Sequence, residues 1–485
     1  MGMKDILLQL YQRSPYFLRV LAASTWGYYL RWWRYGPETN RLVEEALERE
    51  TWTPKRWEKW QEERLALVLH RAATKVPYYR EQWAQRRRRG DYRSWEYLEN
   101  WPVLEKEPIR IKSTDFVAED CDVRRMVKEH TSGSTGKPLD LYWSRSTVQA
   151  WYALFEARWR QWYGVSRFDH WAILGGQLVA AADQRQPPFW VWNAGLNQLY
   201  MSSYHLAPAL IPYYLEALRR YRIRYLYGYS SSLHALGQEI LRQRRRDLQM
   251  TVVITNAEPL YGYQRQVITE AFQCPVRETY GMSEAVAAAG ECEAGQLHIW
   301  PEVGLVEVLP GENSRTNDMS GELVCTGLLN ADMPFVRYRV GDRASLRKTA
   351  KLCSCGRNLP RLDSIDGRVD DVLFSADGRR IGRLDAVFKT KLPIREAQII
   401  QETLNLLRVR YVPATDYTSA AGRLLAERLQ ARMGPMEVIM EPAEEIPRGP
   451  NGKFRGVICN LTPKDIDSMK QLSLDYAAKK DGTIT

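Results

Sequence analysis

The segment His130-Thr131-Ser132-Gly133-Ser134-Thr135-Gly136-Lys137-Pro138 concentrates hydroxyls and glycines in one place. Small residues let a backbone approach a polyanion closely, and successive N–H groups with flanking hydroxyls make a cradle for phosphate. Gly133 and Gly136 do not fit the Walker frame, which closes a G-x-x-x-x-G spacing with Lys-Ser or Lys-Thr. Leu139, Leu141 and Trp143 alternate with Asp140, Tyr142 and Ser144, so this loop is expected to join two strands rather than open a helix. A polar hairpin tip has the same composition, and the choice between the two readings rests on what lies downstream.

Four more residues point to metal chemistry. Cys292 and His298 flank a turn at Gly295, and Cys353 and Cys355 sit beside Gly356. Three thiolates and one imidazole make a closed tetrahedral shell for a structural Zn²⁺, although C-x-C is tighter than the common C-x₂-C and a free thiol cluster is the competing reading. Cys121, Cys274, Cys325 and Cys459 are isolated, as expected of reduced, buried thiols.

These groups need a scaffold. Residues 1–107 read as a mainly helical lead-in, with Val43, Ala46 and Leu47, then Leu65, Val68 and Ala72, at helical spacing. After the glycine loop, Ser146 is placed to cap a helix reaching Gly164. From 210 onward helices alternate with strands: helix 210–221, strand 225–227, helix 233–244, strand 252–255, helix 264–272, strand 276–279. That alternation predicts a parallel sheet with crossover helices, whose ligands bind beyond the carboxyl ends of the strands. Gly228-Tyr229-Ser230, Asn256-Ala257-Glu258 and Tyr280-Gly281-Met282-Ser283-Glu284 stand at those ends. A β-rich section follows, then the charged segment 365–371 with the look of a linker, and a remainder mixing strands and helices. The expected fold is α/β: a large domain over 1–366 with parallel or mixed sheets, and a small mobile α+β domain over 367–485.

Taken in order, Thr131-Ser132-Gly133-Ser134-Thr135-Gly136, Tyr280-Gly281-Met282-Ser283-Glu284, Tyr338-Arg339-Val340-Gly341-Asp342, Gly367-Arg368-Val369-Asp370-Asp371 and Asn451-Gly452-Lys453 resemble the adenylate-forming superfamily of acyl-CoA synthetases, adenylation domains and luciferases. Val76-Pro77-Tyr78-Tyr79-Arg80, Gly228-Tyr229-Ser230, Ala257-Glu258-Pro259-Leu260 and Cys353-Ser354-Cys355-Gly356-Arg357 resemble its phenylacetate-CoA ligase branch and capsular-polysaccharide relatives. The resemblance implies ATP-dependent activation of a carboxylic acid with release of pyrophosphate. Residues 131–136 would then hold the β- and γ-phosphates, Glu284 would bind Mg²⁺, and Tyr280 would stack on adenine with Asn256, Ala257 and Glu258 along its edge. Asp342 would take the ribose hydroxyls, and Arg368 would help hold the nucleotide. Lys453 would bridge carboxylate and α-phosphate, with Asp370 as the hinge of the small domain. The acceptor is coenzyme A or, as the capsular relatives suggest, an amine or hydroxyl on a glycan; a non-catalytic nucleotide-binding scaffold is the reading from another class.

Net charge is +11, much of it in arginine runs such as 86–89 and 244–246. No zinc finger with DNA-reading spacing or RNA-binding signature accompanies them, so specific nucleic-acid binding is not expected. No apolar run approaches the ~20 residues of a membrane span, and the N-terminus lacks the pattern of a secretory signal, which points to the cytoplasm. Trp26, Tyr28, Tyr29, Trp32 and Trp33 interleaved with Arg31 and Arg34 suit either a helix packed on the main body or a peripheral membrane contact.

Overall fold

The computed structural model describes residues 8, 10–131, 139–177, 179–181, 184–206, 209–258, 260, 262–310, 320–347, 352–365, 373–375, 380–381, 387, 392–414, 416–444, 446, 457–462 and 465. The lead-in is helical as expected: α1 (Tyr16–Arg34), α2 (Thr39–Arg49), α3 (Pro54–Lys75), α4 (Pro77–Arg88) and α5 (Lys106–Ile111). In α3, Pro54 occupies the first turn and the Thr53 side chain accepts the Arg56 N–H. Proline suits that place because its fixed φ is already helical and no N–H is needed there. Trp57, Val68, Leu69, Ala72 and Ala73 bury one stripe of α3 against the main body.

Strand β1 (Val127–His130) pairs antiparallel with β2 (Asp140–Trp143), His130 facing Asp140. The glycine-rich segment therefore joins two strands, as the alternation predicted; residues 132–138 lie outside the described residues. Helix α6 (Arg145–Trp159) starts earlier than expected. Its cap is Ser144, which has the extended backbone a cap needs and accepts the Thr147 N–H, in place of Ser146.

Next come β3 (Trp171–Gly175), β4 (Trp190–Asn193), β5 (Gln198–Ser202), α7 (Ile211–Arg220), β6 (Tyr225–Tyr229), α8 (Ser230–Arg242), β7 (Val252–Asn256), α9 (Gly262–Phe272) and β8 (Val276–Gly281). β5, β3, β6, β7 and β8 run parallel, with β4 antiparallel at the edge. Every residue of β6 is buried, as befits a strand covered by helices on both faces. Leu215, Leu218, Leu226, Leu236, Val253, Ile268 and Phe272 form the core between sheet and helices. Burying a side chain of that size contributes roughly 1.5–3 kcal/mol.

The β-rich section supplies β9 (Ala288–Glu291), β10 (Leu297–Ile299), β11 (Gly304–Pro310), β12 (Ser320–Gly327), β13 (Tyr338–Leu346) and β14 (Arg361–Ile365). These pair antiparallel and continue the parallel half, giving one 12-stranded sheet among the described residues, in the order β11-β12-β13-β14-β10-β9-β8-β7-β6-β3-β5-β4. β8 is the junction: β7 lies parallel on one side and β9 antiparallel on the other.

The C-terminal part holds β15 (Leu373–Phe374), β16 (Arg380–Ile381), β17 (Ile394–Thr403), β18 (Leu406–Pro413), α10 (Ser419–Met433), β19 (Glu437–Pro442) and β20 (Val457–Cys459). A sheet ordered β19-β18-β17-β20 packs Ile399, Leu407 and Val409 against Leu425 and Leu429 of α10. Mixed α/β architecture with a separate C-terminal sheet is the class the sequence pointed to.

Candidate nucleotide site and metal centre

The turn 280–284 leaves the carboxyl end of β8, where the sheet changes from parallel to antiparallel. Ligands of open α/β sheets gather at such ends. The Tyr280 hydroxyl donates to Asp342 Oδ2 of β13 at 2.8 Å, and the Tyr338 hydroxyl donates to Glu284 Oε1 at 2.8 Å. Two motifs far apart in the chain thus share one place. Tyr338 is fully buried and stacks on Phe335, which fixes the ring that orients Glu284.

The backbone here is strained. Ala257, Ala285 and Arg337 adopt φ of +65°, +50° and +49°, immediately beside Asn256, Glu284 and Tyr338. A side-chain-bearing residue in that region costs on the order of 1–3 kcal/mol, and such outliers gather at ligand sites. Gly281 packs closely: a Cβ there would sit 3.2 Å from the Trp159 ring, a tight contact.

Asn256 ends β7, and its Oδ1 is buried with no hydrogen-bond partner among the described residues. The Glu258 N–H donates to the Asn256 carbonyl at 2.8 Å, and Ser230 Oγ donates to Glu258 Oε2 at 3.4 Å. Thr131 closes the neck of the β1–β2 loop: its N–H donates to the Leu139 carbonyl, and its Oγ1 accepts the Leu139 N–H at 2.8 Å.

Of the residues singled out in the sequence, Tyr280 and Asp342 are brought into direct contact, and Glu284 is tied to β13 through Tyr338. Thr131, Asn256, Ala257, Glu258, Gly281, Met282 and Ser283 stand at strand ends and turns as expected. Ser132, Gly133, Ser134, Thr135, Gly136, Arg368, Asp370 and Lys453 lie outside the described residues. Tyr338 was read only as the opening of a motif. Its hydroxyl is what reaches Glu284, and the signal was a tyrosine on a strand that also carries Asp342.

The cysteine–histidine set does converge. Cys292 follows β9 and His298 lies in β10; the Gly295 N–H donates to the Cys292 carbonyl at 3.0 Å with Gly295 at φ +70°. The second turn repeats the device, with Gly356 N–H to the Cys353 carbonyl at 3.0 Å and φ +80°. The four ligand atoms lie within 4.8 Å of one another. Cys292 Sγ and Cys353 Sγ are 3.8 Å apart, and Cys355 Sγ is 3.4 Å from His298 Nε2. Zinc–sulfur bonds of about 2.3 Å in a tetrahedron space the sulfurs about 3.8 Å apart, so these residues fit a zinc ion as they stand.

His298 Nδ1 lies 3.1 Å from the Leu359 carbonyl, which makes it the protonated nitrogen and leaves Nε2 as the ligand atom. Burial pushes the ring down to about 4, so it is neutral in the neutral range. Burial also pushes the Cys292 thiol up to about 12. Burial raises Cys353 too, but hydrogen bonds from Cys355 and Cys292 outweigh it and hold that thiol below its ordinary value.

An ionic cluster braces this centre. Arg357 donates to Glu50 Oε2 at 3.0 Å and to Glu293 at 2.6 Å, and lies over the Trp162 ring. Arg158, fully buried, donates two bonds of 2.8 Å to Glu302 and one of 3.3 Å to Glu50. Trp162 Nε1 donates to the same Glu50 at 2.7 Å.

Residues 373–460 match the family described as CapK C-terminal domain. The chain is 27% identical to Protein CapK of Staphylococcus aureus over 367 residues, 74% of this chain and 80% of that protein. It is 26% identical to phenylacetate-coenzyme A ligase of Escherichia coli K12 over 336 residues, 65% of this chain and 71% of the relative. In fold it resembles 2-hydroxyisobutyryl-CoA ligase, in complex with 2-HIB-AMP and CoA in the thioesterification state, with a TM-score of 0.53 at 20% identity, covering 88% of this chain and 94% of that one. In sequence and fold the chain is thus similar to the phenylacetate-CoA ligase-like branch of the adenylate-forming superfamily and to its CapK relatives.

Proposed function

We propose that the protein uses ATP to convert a small carboxylic acid into an acyl-adenylate and then passes the acyl group to the thiol of coenzyme A. The observation that carries this reading is the Tyr280–Asp342 hydrogen bond, which joins the β8 turn and the β13 motif into one site. A carboxylate is a poor acyl donor. Its attack on the α-phosphate expels pyrophosphate, and that step needs charge neutralisation more than acid–base work.

The chain's own groups meet this need. Residues 131–136 grip the phosphates, and Asp342 accepts from the ribose hydroxyls while Tyr280 steadies it. The orphaned Asn256 Oδ1 takes a proton donor such as the exocyclic amine of adenine. Glu284, held by Tyr338, is the oxygen ligand suited to Mg²⁺, which when bound neutralises phosphate charge. Arg368 holds the nucleotide, and Lys453 bridges the carboxylate and α-phosphate as charge develops. Cys292, His298, Cys353 and Cys355 hold a structural zinc.

The second reading of the acceptor is an amine or hydroxyl in place of the thiol, as the sequence resemblance to capsular-polysaccharide relatives implies.

The test is carboxylate-dependent pyrophosphate release over a panel of aryl, amino and hydroxy acids, followed by acceptor trials with coenzyme A first. Lys453→Ala should lower adenylation by about 10²–10³-fold with ATP binding largely retained, because the lysine acts on charge present mainly in the transition state. Unchanged pyrophosphate release in that variant would overturn the assignment.

A further inference from the structure

Helix α1 is fastened to the edge of the large sheet by one side only. A Cβ on Gly27 would meet Asn193 Oδ1 at 1.7 Å, so only glycine lets the helix lie this close to β4. Ser24 Oγ accepts the Ala194 N–H at 3.1 Å, the buried Arg19 donates to the Val179 carbonyl at 3.3 Å, and the Tyr16 and Tyr221 hydroxyls are 2.9 Å apart. Arg145 donates to the Trp32 carbonyl at 2.9 Å.

The stripe bordering these anchors is apolar and open. Phe17, Leu21, Tyr28 and Trp32 fall on one helical face and are 68%, 63%, 57% and 53% exposed. No Asp or Glu occurs between Asp5 and Glu38. Arg31, exposed beside this face, forms no ion pair among the described residues. At the C-terminal end of α1, Tyr28, Arg31, Trp32, Tyr35 and Arg167 line an open cavity of about 510 Å³.

We propose that α1 seats the protein on an anionic lipid surface, its apolar face in the headgroup–acyl boundary and Arg31 against headgroup phosphates. Three features select this occupant. Tryptophan and tyrosine are the side chains that suit a boundary with one apolar and one wet side. An acid-free stretch with a free arginine complements negative headgroups and nothing on the chain itself. A second copy docked by two-fold symmetry would set the same patch against itself, bringing like charges together with no acid to pair them. Among the described residues no helix is long and apolar enough to cross a membrane, so α1 lies along the surface.

The test is co-sedimentation of the full-length protein with vesicles of phosphatidylcholine, with and without phosphatidylglycerol. Binding should be about tenfold or more stronger to the anionic vesicles and should weaken as salt is raised. Arg31→Glu should cut it by about tenfold. Phe17→Ser with Leu21→Ser should abolish it with an unchanged melting temperature, since both side chains are exposed. If that double variant fails to fold, Arg31→Glu alone decides. Equal binding to neutral and anionic vesicles, no binding, or binding unaltered in Arg31→Glu would overturn the proposal. A dimer in light scattering that the double variant dissociates, without vesicle binding, would give the face to a second copy instead.

Discussion

Tyr280 carries two duties that can be separated. Its ring belongs to the adenine side of the proposed site, and its hydroxyl holds Asp342. Tyr280→Phe keeps the ring and deletes a hydrogen bond to a charged group, worth about 1.5–3 kcal/mol. The expected outcome is a KM for ATP raised by roughly tenfold or more with kcat little changed, read from initial rates of pyrophosphate release. An unchanged KM would mean Asp342 is held by other groups. The residue types of this site were legible from the chain alone, because Asp342 and Glu284 stand in short motifs. Their fastening was not. Which tyrosine reaches which carboxylate depends on β8 and β13 occupying one sheet, and no local pattern encodes that.

Secondary elements tell the same story with a different limit. The alternation of helices and strands from 211 to 281 was readable because each element signals its own period. The antiparallel half was readable only as separate strands, since pairings such as His298 opposite Arg361 are non-local. That pairing brings the two cysteine turns together. Removing a thiol from the centre should therefore loosen two distant hairpins before it touches chemistry. Freshly purified protein should contain one zinc per chain by elemental analysis. Cys353→Ser should lose the metal and melt on the order of 5 °C lower, with adenylation at low temperature largely kept.

Acidification of the metal-free protein tests the same element. His298 moves from its ordinary 6.5 to about 4 on folding, so the unfolded chain binds its proton first as pH falls. The stability it contributes is complete above about pH 6.5 and declines as pH drops toward 4, which urea unfolding across that window will measure. His298→Gln should flatten the slope.

At the scale of the whole molecule, adenylation and acyl transfer ask for different groups around one bound intermediate. We propose that residues 367–485 act as a small domain rotating on Asp370 between the two half-reactions. Proline at 370 fixes φ near about −65° and removes an N–H. Asp370→Pro should form acyl-adenylate at a near-normal rate and transfer it at least about tenfold more slowly to the acceptor found in the panel, with the two half-reactions timed separately. A variant slowed equally in both would make the segment structural only, and one slowed in neither would remove the need for rotation. The charged, glycine-bearing segment 365–371 is what suggests such a division in the sequence. The way the C-terminal core reaches the large one was not readable there: Tyr204, from the segment after β5, packs beside Leu373 and Ile381 and takes a hydrogen bond from Arg432 of α10.

Glu50 sets a rule of inheritance for this chain. It stands at the end of α2, yet its carboxylate is shared by Arg158 of α6, Arg357 of the second cysteine turn and Trp162. Three segments that could otherwise be exchanged between relatives are therefore matched at one atom group. A chimera taking its first fifty or so residues from a relative without an acid here would leave Arg357 with the exposed Glu293 as its carboxylate partner and would remove the Glu50 acceptor of the Trp162 N–H. A crossover between Glu50 and Arg158 has a compatibility requirement that no motif of the nucleotide site would reveal.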